Sequence, residues 1–203
     1  MGKVNEMSLE VEVKFFVPDL AAFRQRLVAA GGVLEKPRVF ERNVRYDNAW
    51  QGLTRKLQLL RLRQDGQVRL TFKGEPITRP DTQAKIREEL EVYVNDFEQM
   101  AAILQRIGFE PMQVYEKYRE TFHFEEVEVV LDELPFGNFV ELEGDEAAIR
   151  AASGRIGLDW ETRILDNYLA LMGKLKAHHQ LPFADLTFAN FSGRNISIAD
   201  VWK

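Results

Sequence analysis

The sequence predicts an α+β domain in which charged-faced antiparallel strands are backed by amphipathic helices. Three observations carry this. Several segments alternate apolar and charged residues with period two. Between them lie helical stripes that begin at acidic caps and end at glycines. A strand–helix–strand pattern occurs twice: LEVEVKFFVPDLAAFRQRLVAAGG resembles LEVYVNDFEQMAAILQRIGF, and Glu10 to Glu89 spans 79 residues (89 minus 10). A duplicated half fits this repeat, and neither half alone holds enough apolar residues for a core.

Taken in order, LEVEVKFFV at 9–17 is a strand with Glu10, Glu12 and Lys14 on one face, stopped by Pro18. Asp19 caps a helix striped by Leu20, Phe23 and Leu27 and closed by Gly31–Gly32. Residues 38–47 alternate again, and 56–73 reads as a hairpin turning at Gln64-Asp65-Gly66-Gln67. That hairpin puts Arg61 and Arg63 on one strand face and Arg69, Thr71 and Lys73 on the other strand's face. After a proline-bearing loop, 85–94 places Lys85, Arg87, Glu89 and Glu91 opposite Ile86, Leu90, Val92 and Val94. Asn95 or Asp96 caps a helix carrying Phe97, Met100, Leu104 and Ile107, ended by Gly108. Strands follow at 113–124, 127–132 and 138–143, the last two joined by ELPFGN. Asp145 caps a short helix at 146–153, and a longer helix is expected over about 161–176.

Composition bounds the function. The chain has 203 residues, 45% hydrophobic and 29% charged, without a membrane-length apolar run or a signal-peptide pattern. It has no cysteine, which removes thiolate metal sites and a cysteine nucleophile and fits a cytoplasmic protein. A net charge of −5 argues against general nucleic-acid or anionic-membrane binding.

The strand faces collect seven acids, Glu10, Glu12, Glu89, Glu91, Asp132, Glu141 and Glu143, and seven bases, Lys14, Arg61, Arg63, Lys73, Arg87, Lys117 and Arg119. With the apolar faces under helices, these charges face either open water or a barrel lumen. Arg and Glu dominate where a solvated face ordinarily carries Thr, Ser, Gln and Lys. Like carboxylates two apart on a strand repel unless a counter-ion lies between them. Arg and Lys clamp phosphate oxygens, and carboxylates hold Mg²⁺ or Mn²⁺. This chemistry points to a metal–polyphosphate site.

The same residues resemble the CYTH domains, or triphosphate tunnel metalloenzymes. Glu10-Val-Glu12-Val-Lys14 is similar to their ExExK signature. LLRLRQ, RLTFKG, REELEV, EKYRETF and VVLDELPFGNFVELEG follow in the family's order, covering residues 9 to about 172. The resemblance implies a closed eight-stranded antiparallel β-barrel with helices outside, and a small-molecule substrate with a triphosphate tail, bound with Mg²⁺ or Mn²⁺. It implies metal-side acids at Glu10, Glu12, Asp132, Glu141 and Glu143, joined by Glu89 and Glu91 unless these instead hold the bases. It implies phosphate clamps at Lys14, Arg61, Arg63, Lys73, Arg87, Lys117 and Arg119. Glu10, Glu12 and Lys14 are the expected catalytic strip. The implied activity is triphosphate hydrolysis, with class IV adenylyl cyclase as the alternative and a non-catalytic polyphosphate or nucleotide module behind both.

The domain is expected over 1–176. The extension 177–203 carries Phe183, Phe188, Phe191, Ile198 and Trp202. It is too apolar to be a free tail, and is expected to dock on the domain or on a second subunit, the latter making a homodimer. His123, His178 and His179 read as structural or solvated, and Trp50 as a loop aromatic with the option of stacking on a ring at a tunnel mouth.

Overall fold

The computed structural model describes residues 9–80 and 82–202. Eight strands form a closed antiparallel barrel. They are β1 (Leu9–Phe16), β2 (Val33–Asn48), β3 (Leu59–Gln64), β4 (Val68–Lys73), β5 (Lys85–Val94), β6 (Phe109–Phe124), β7 (Val127–Leu134) and β8 (Gly137–Glu143). The helices are α1 (Leu20–Ala29), α2 (Gly52–Arg55), α3 (Phe97–Arg106), α4 (Glu146–Arg155), α5 (Tyr168–His179) and α6 (Phe188–Phe191).

Around the barrel the strands run β1-β5-β4-β3-β2-β6-β7-β8, and β8 closes on β1. Exchanging the first four strands for the last four leaves this circular order unchanged. The strand order therefore has the two-fold symmetry expected of a duplicated half, with β1–α1–β2 matching β5–α3–β6. Glu10 and Glu12 on β1 match Glu89 and Glu91 on β5.

The caps form as their side-chain chemistry dictates. Asp19 Oδ1 accepts from Ala22 N, and Asp96, rather than Asn95, accepts from Gln99 N, each at 2.9 Å. Asp145 accepts from Ala147 N at 2.9 Å. Gly66 turns the β3–β4 hairpin at φ 93°, a conformation that disfavours a side chain. At Gly137, which opens β8, an added Cβ would meet Phe16 and Ile198 at 3.1 Å.

The apolar core lies outside the barrel, in three clusters. α1 and α4 cover the outer faces of β1, β7 and β8 through Phe23, Leu27, Ile149 and Ile156. α3 covers β2 to β4, where Phe97 and Leu104 pack with Val44, Tyr46 and Leu62. α5 and the C-terminal segment pack over Phe136 and Phe139 with Leu171, Leu186, Phe191 and Ile198. The segment is also fastened by backbone: Leu186 N donates to Val114 O at 2.9 Å, and Ile198 N to Phe136 O at 2.8 Å.

Several boundaries differ from the sequence expectation. β2 begins at Val33 and β6 at Phe109, because their exposed ends pair with each other's strands without an alternating signal. α5 begins at Tyr168 rather than near 161. Trp160–Thr162 is a 3-10 turn, Ile164 pairs with the backbone of Lys14, and Asn167 caps the helix. Ile164, Tyr168 and Met172 keep helical spacing and are all buried, but the first of them belongs to a bridge. On β5, Leu90 and Val92 are 50% and 56% exposed, because no helix covers that part of the sheet.

Candidate active site

The inward faces of all eight strands meet in a cavity of about 1100 Å³. Thirteen of the fourteen collected charges line it. Asp132 is the exception: it is fully buried behind the wall. The alternation that sends Val13 and Phe15 outward sends Glu12 and Lys14 inward.

One wall is acidic. Glu12 pairs across the ladder with Glu143 on β8, and Glu10 with Arg87 on β5. Lys73 Nζ reaches Glu10 Oε1 at 2.5 Å and Glu89 at 3.1 Å, and Lys85 pairs with Glu12. Burial pushes the Glu10 carboxyl up, and Glu12 and Glu89 add to this against the pull of Lys73. Burial, Glu10 and Glu128 push Glu143 up to about 8. Burial would raise Glu12 too, but Lys14 and Lys85 outweigh it and hold that carboxyl at about 2.

The bases are spread around the lumen, on β1, β3, β4, β5 and β6. Arg119 grips both oxygens of Asp132 at 2.7 and 2.6 Å and reaches Glu141 at 2.5 Å. Lys117 donates to Asp132 at 2.8 Å, and Lys14 to Glu141 at 2.9 Å. Arg61 donates to the Tyr115 hydroxyl at 3.2 Å and to Thr71 at 3.3 Å. Arg63 lies 3.4 Å from Glu41 and 3.5 Å from Glu91. Arg87 has no carboxylate within ion-pair distance among the described residues and donates to the Leu57 carbonyl at 2.9 Å. Among the described residues, the Nε atoms of Arg61 and Arg87 are buried with no acceptor, while Arg63 Nε makes no hydrogen bond but lies 3.6 Å from Asp65. Orphaned guanidinium donors beside a cavity fit an anionic ligand.

Sequence reasoning passed over four residues here. Glu41 is 1% exposed and faces Arg63, Lys117 and Arg119. Burial alone would raise its carboxyl, but those cations hold it at about 2. Its strand alternates charge with charge (Glu41, Arg42, Arg45), so inside and outside were not separable by pattern. Lys85 and Arg69 share faces with the selected residues and both line the cavity. Tyr168 belongs to the cavity through α5, and no strand periodicity marks it. Trp50 is 74% exposed and absent from the lining, as are His123, His178 and His179. His179 instead meets Asp200 at 2.9 Å.

The residues fit a hard divalent cation by donor type. Glu10, Glu12 and Glu143 are oxygen ligands on adjoining strands, and burial first, with neighbouring carboxylates adding to it, raises Glu143 and Glu10. Among the described residues no three such side chains are gathered at chelating distance. Lys73 and Lys85 hold Glu10 and Glu12 instead.

The model of the CYTH domain family matches residues 8–163. This chain belongs to that family. A Methanocaldococcus jannaschii protein provisionally named an adenylate cyclase is 31% identical to this CYTH protein over 137 residues, spanning 66% of this chain and 76% of the relative. The crystal structure of a Vibrio parahaemolyticus protein, also provisionally named an adenylate cyclase, superposes with a TM-score of 0.69 at 22% identity, over 80% of this chain and 97% of that one. A Hippeastrum protein described as a provisional adenylyl cyclase with a dominant triphosphatase activity superposes with a TM-score of 0.58 at 17% identity, over 80% and 94%. These structural likenesses establish the fold of the CYTH barrel. No helix among its described residues is long and apolar enough to cross a membrane.

Proposed function

We propose that this CYTH protein is a divalent-metal-dependent phosphohydrolase acting on a triphosphate-tailed substrate: inorganic triphosphate, thiamine triphosphate or a nucleoside triphosphate. The observation that carries the reading is a closed barrel whose cavity is lined by carboxylates and by Arg and Lys together. A polyanion that arrives with its counter-cation satisfies both sets at once.

Arg61, Arg63 and Arg87, which line the cavity, bind phosphate oxygens through their guanidinium groups. Lys14, Lys117 and Arg119, fixed by Glu141 and Asp132, hold the adjoining phosphate. Glu10, Glu12 and Glu143 would hold Mg²⁺ or Mn²⁺, with Glu89, Glu91 and Glu141 available as further oxygen donors or as anchors for the bases. The ion supplies charge neutralisation on phosphate and activation of water. Lys73 and Lys85, which pair with Glu10 and Glu12, would then be free to meet phosphate. Catalysis is mainly positioning and charge stabilisation, with water attacking the terminal phosphorus and an acidic-wall carboxylate taking its proton.

A second reading is class IV adenylyl cyclase, in which the ribose hydroxyl of ATP attacks the α-phosphorus and pyrophosphate leaves. The cavity size favours keeping it: about 1100 Å³ is at the top of the range for small-molecule pockets and leaves room for a nucleoside. The M. jannaschii relative's name points the same way.

The deciding experiment offers inorganic triphosphate, thiamine triphosphate and ATP with Mg²⁺ or Mn²⁺ and reads orthophosphate, pyrophosphate and cyclic AMP separately. Orthophosphate without cyclic nucleotide supports the hydrolase. Cyclic AMP with pyrophosphate replaces it with the cyclase. Tight binding without product makes the chain a polyphosphate-binding module.

A further inference from the structure

The family match ends at residue 163, yet the cavity wall continues past it. Asn167 and the first turn of α5 line the cavity. The Tyr168 hydroxyl donates to Asp132 Oδ2 at 2.8 Å. Lys14 Nζ stands 4.6 Å from the centre of its ring and Lys117 Nζ 5.3 Å. Phe139 packs edge-on against the ring with centroids 5.1 Å apart.

Asp132 explains why this matters. It accepts from Lys117, twice from Arg119 and once from Tyr168. Three of these bonds fall on Oδ2 and one on Oδ1, and the carboxyl is fully buried and outside the cavity lining, so it offers no face to an ion in the lumen. The residue expected from the resemblance to be a metal ligand lies instead behind the clamps, joining two of them to α5.

We propose that Tyr168 is a positioning residue for triphosphate recognition, setting Lys14 and Lys117 against its ring face and Arg119 through Asp132. The inference rests on the triphosphate reading above. Three cations close together repel, and the negative face of a buried aromatic ring offsets part of that repulsion. The hydroxyl supplies Asp132 with its remaining donor, so the carboxylate stays aligned with Arg119. The ring's own position is set by the C-terminal segment. Ile164 N donates to Lys14 O at 2.6 Å, and Leu171 and Leu175 are buried in the cluster that contains Leu186 and Ile198. The phosphate site therefore depends on residues outside the family match.

The test titrates inorganic triphosphate into full-length wild type, Tyr168→Phe and Tyr168→Leu, in chelator, with a thermal melt of each. Tyr168→Phe keeps the ring and is expected to raise Kd about threefold. Tyr168→Leu loses ring and hydroxyl and is expected to raise Kd at least about thirtyfold. With metal and turnover, the loss should fall on KM more than on kcat. A merely structural tyrosine would lower Tm in both variants and leave Kd unchanged well below the melt, which would overturn the proposal. Should Tyr168→Leu fail to fold, Tyr168→Phe decides alone, because an unchanged Kd in it removes the Asp132 link. Wild type that binds no triphosphate would instead defeat the parent reading, and this inference with it.

Discussion

Glu12 and Glu143 are directly opposed across the β1–β8 ladder, yet their carboxyls are driven in opposite directions, one held at about 2 and the other pushed to about 8. Lys14 and Lys85 neutralise the first. The second is buried beside Glu10 and Glu128 and has no cationic partner within ion-pair distance among the described residues. Glu143 therefore costs stability once it ionises. Its folded value lies above the ordinary 4.5, so its contribution is fully present below about pH 4.5 and is lost as pH rises through about 8. In chelator, Glu143→Gln should melt above wild type at pH 9 and close to it at pH 5. Adding Mg²⁺ at pH 9 should narrow the gap by stabilising only wild type. Equal melts at pH 9 would show that no charge strain resides at Glu143.

Glu10→Gln and Glu12→Gln should lower metal-dependent turnover by at least about a hundredfold, the order seen when one preorganised charge-stabilising group is removed. Circular dichroism should show an intact barrel, since the core lies on the outer strand faces. Full activity in either variant would refute the assignment of the acidic wall.

Among the described residues Arg61 donates only to Tyr115 and Thr71, with Glu91 at 3.9 Å. Arg61→Ala should therefore act mainly on substrate binding. A charge-assisted hydrogen bond of about 1.5–3 kcal/mol corresponds to roughly a ten- to hundredfold rise in KM. Steady-state kinetics with unchanged KM and kcat would remove Arg61 from the clamp.

Glu41 stands among three cations. Breaking a buried ion-pair network costs about 3 kcal/mol or more, so Glu41→Gln should unfold at lower denaturant. The same variant should regain much of that loss when inorganic triphosphate is added, because the anion replaces the missing negative charge. Destabilisation that triphosphate leaves untouched would mean that the three cations do not face the ligand.

Leu186 and Ile198 are fully buried in the cluster beneath α5. We propose that residues 177–203 are an integral part of the domain. Truncation to alanine at either position should cost about 2–5 kcal/mol. A change below 1 kcal/mol, measured by urea unfolding, would make the segment an independent appendage.

What was legible in the sequence followed strand periodicity. β1 and β8 announced themselves because one face is aliphatic and the other ionised, so Glu10, Glu12, Lys14, Glu141 and Glu143 were assigned to one surface before any coordinates. Glu41 was not, because Val39 and Asn43 flank it on its own face while Arg38 and Arg42 lie on the other, so charge does not mark the inner side. Asp132 was assigned to the right strand but not to the right depth: alternation gives a side and says nothing of how many donors crowd an acceptor. Tyr168 falls within the helix expected over about 161–176, where no pattern marks it for the lumen. Its link to Asp132 spans 36 residues and depends on how the C-terminal segment crosses the barrel end, which no local pattern encodes.

The barrel has its oily surface outside and its ions inside, so stability and chemistry are written on alternate residues of the same strands. The outward set fixes the scaffold; the inward set is retained for what it grips. A neutral replacement should toughen the protein at Glu143, whose charge has no cation within ion-pair distance among the described residues, and weaken it at Glu41, whose charge has three. A lineage built on this plan can rewrite its chemistry one inward position at a time without relearning how to fold.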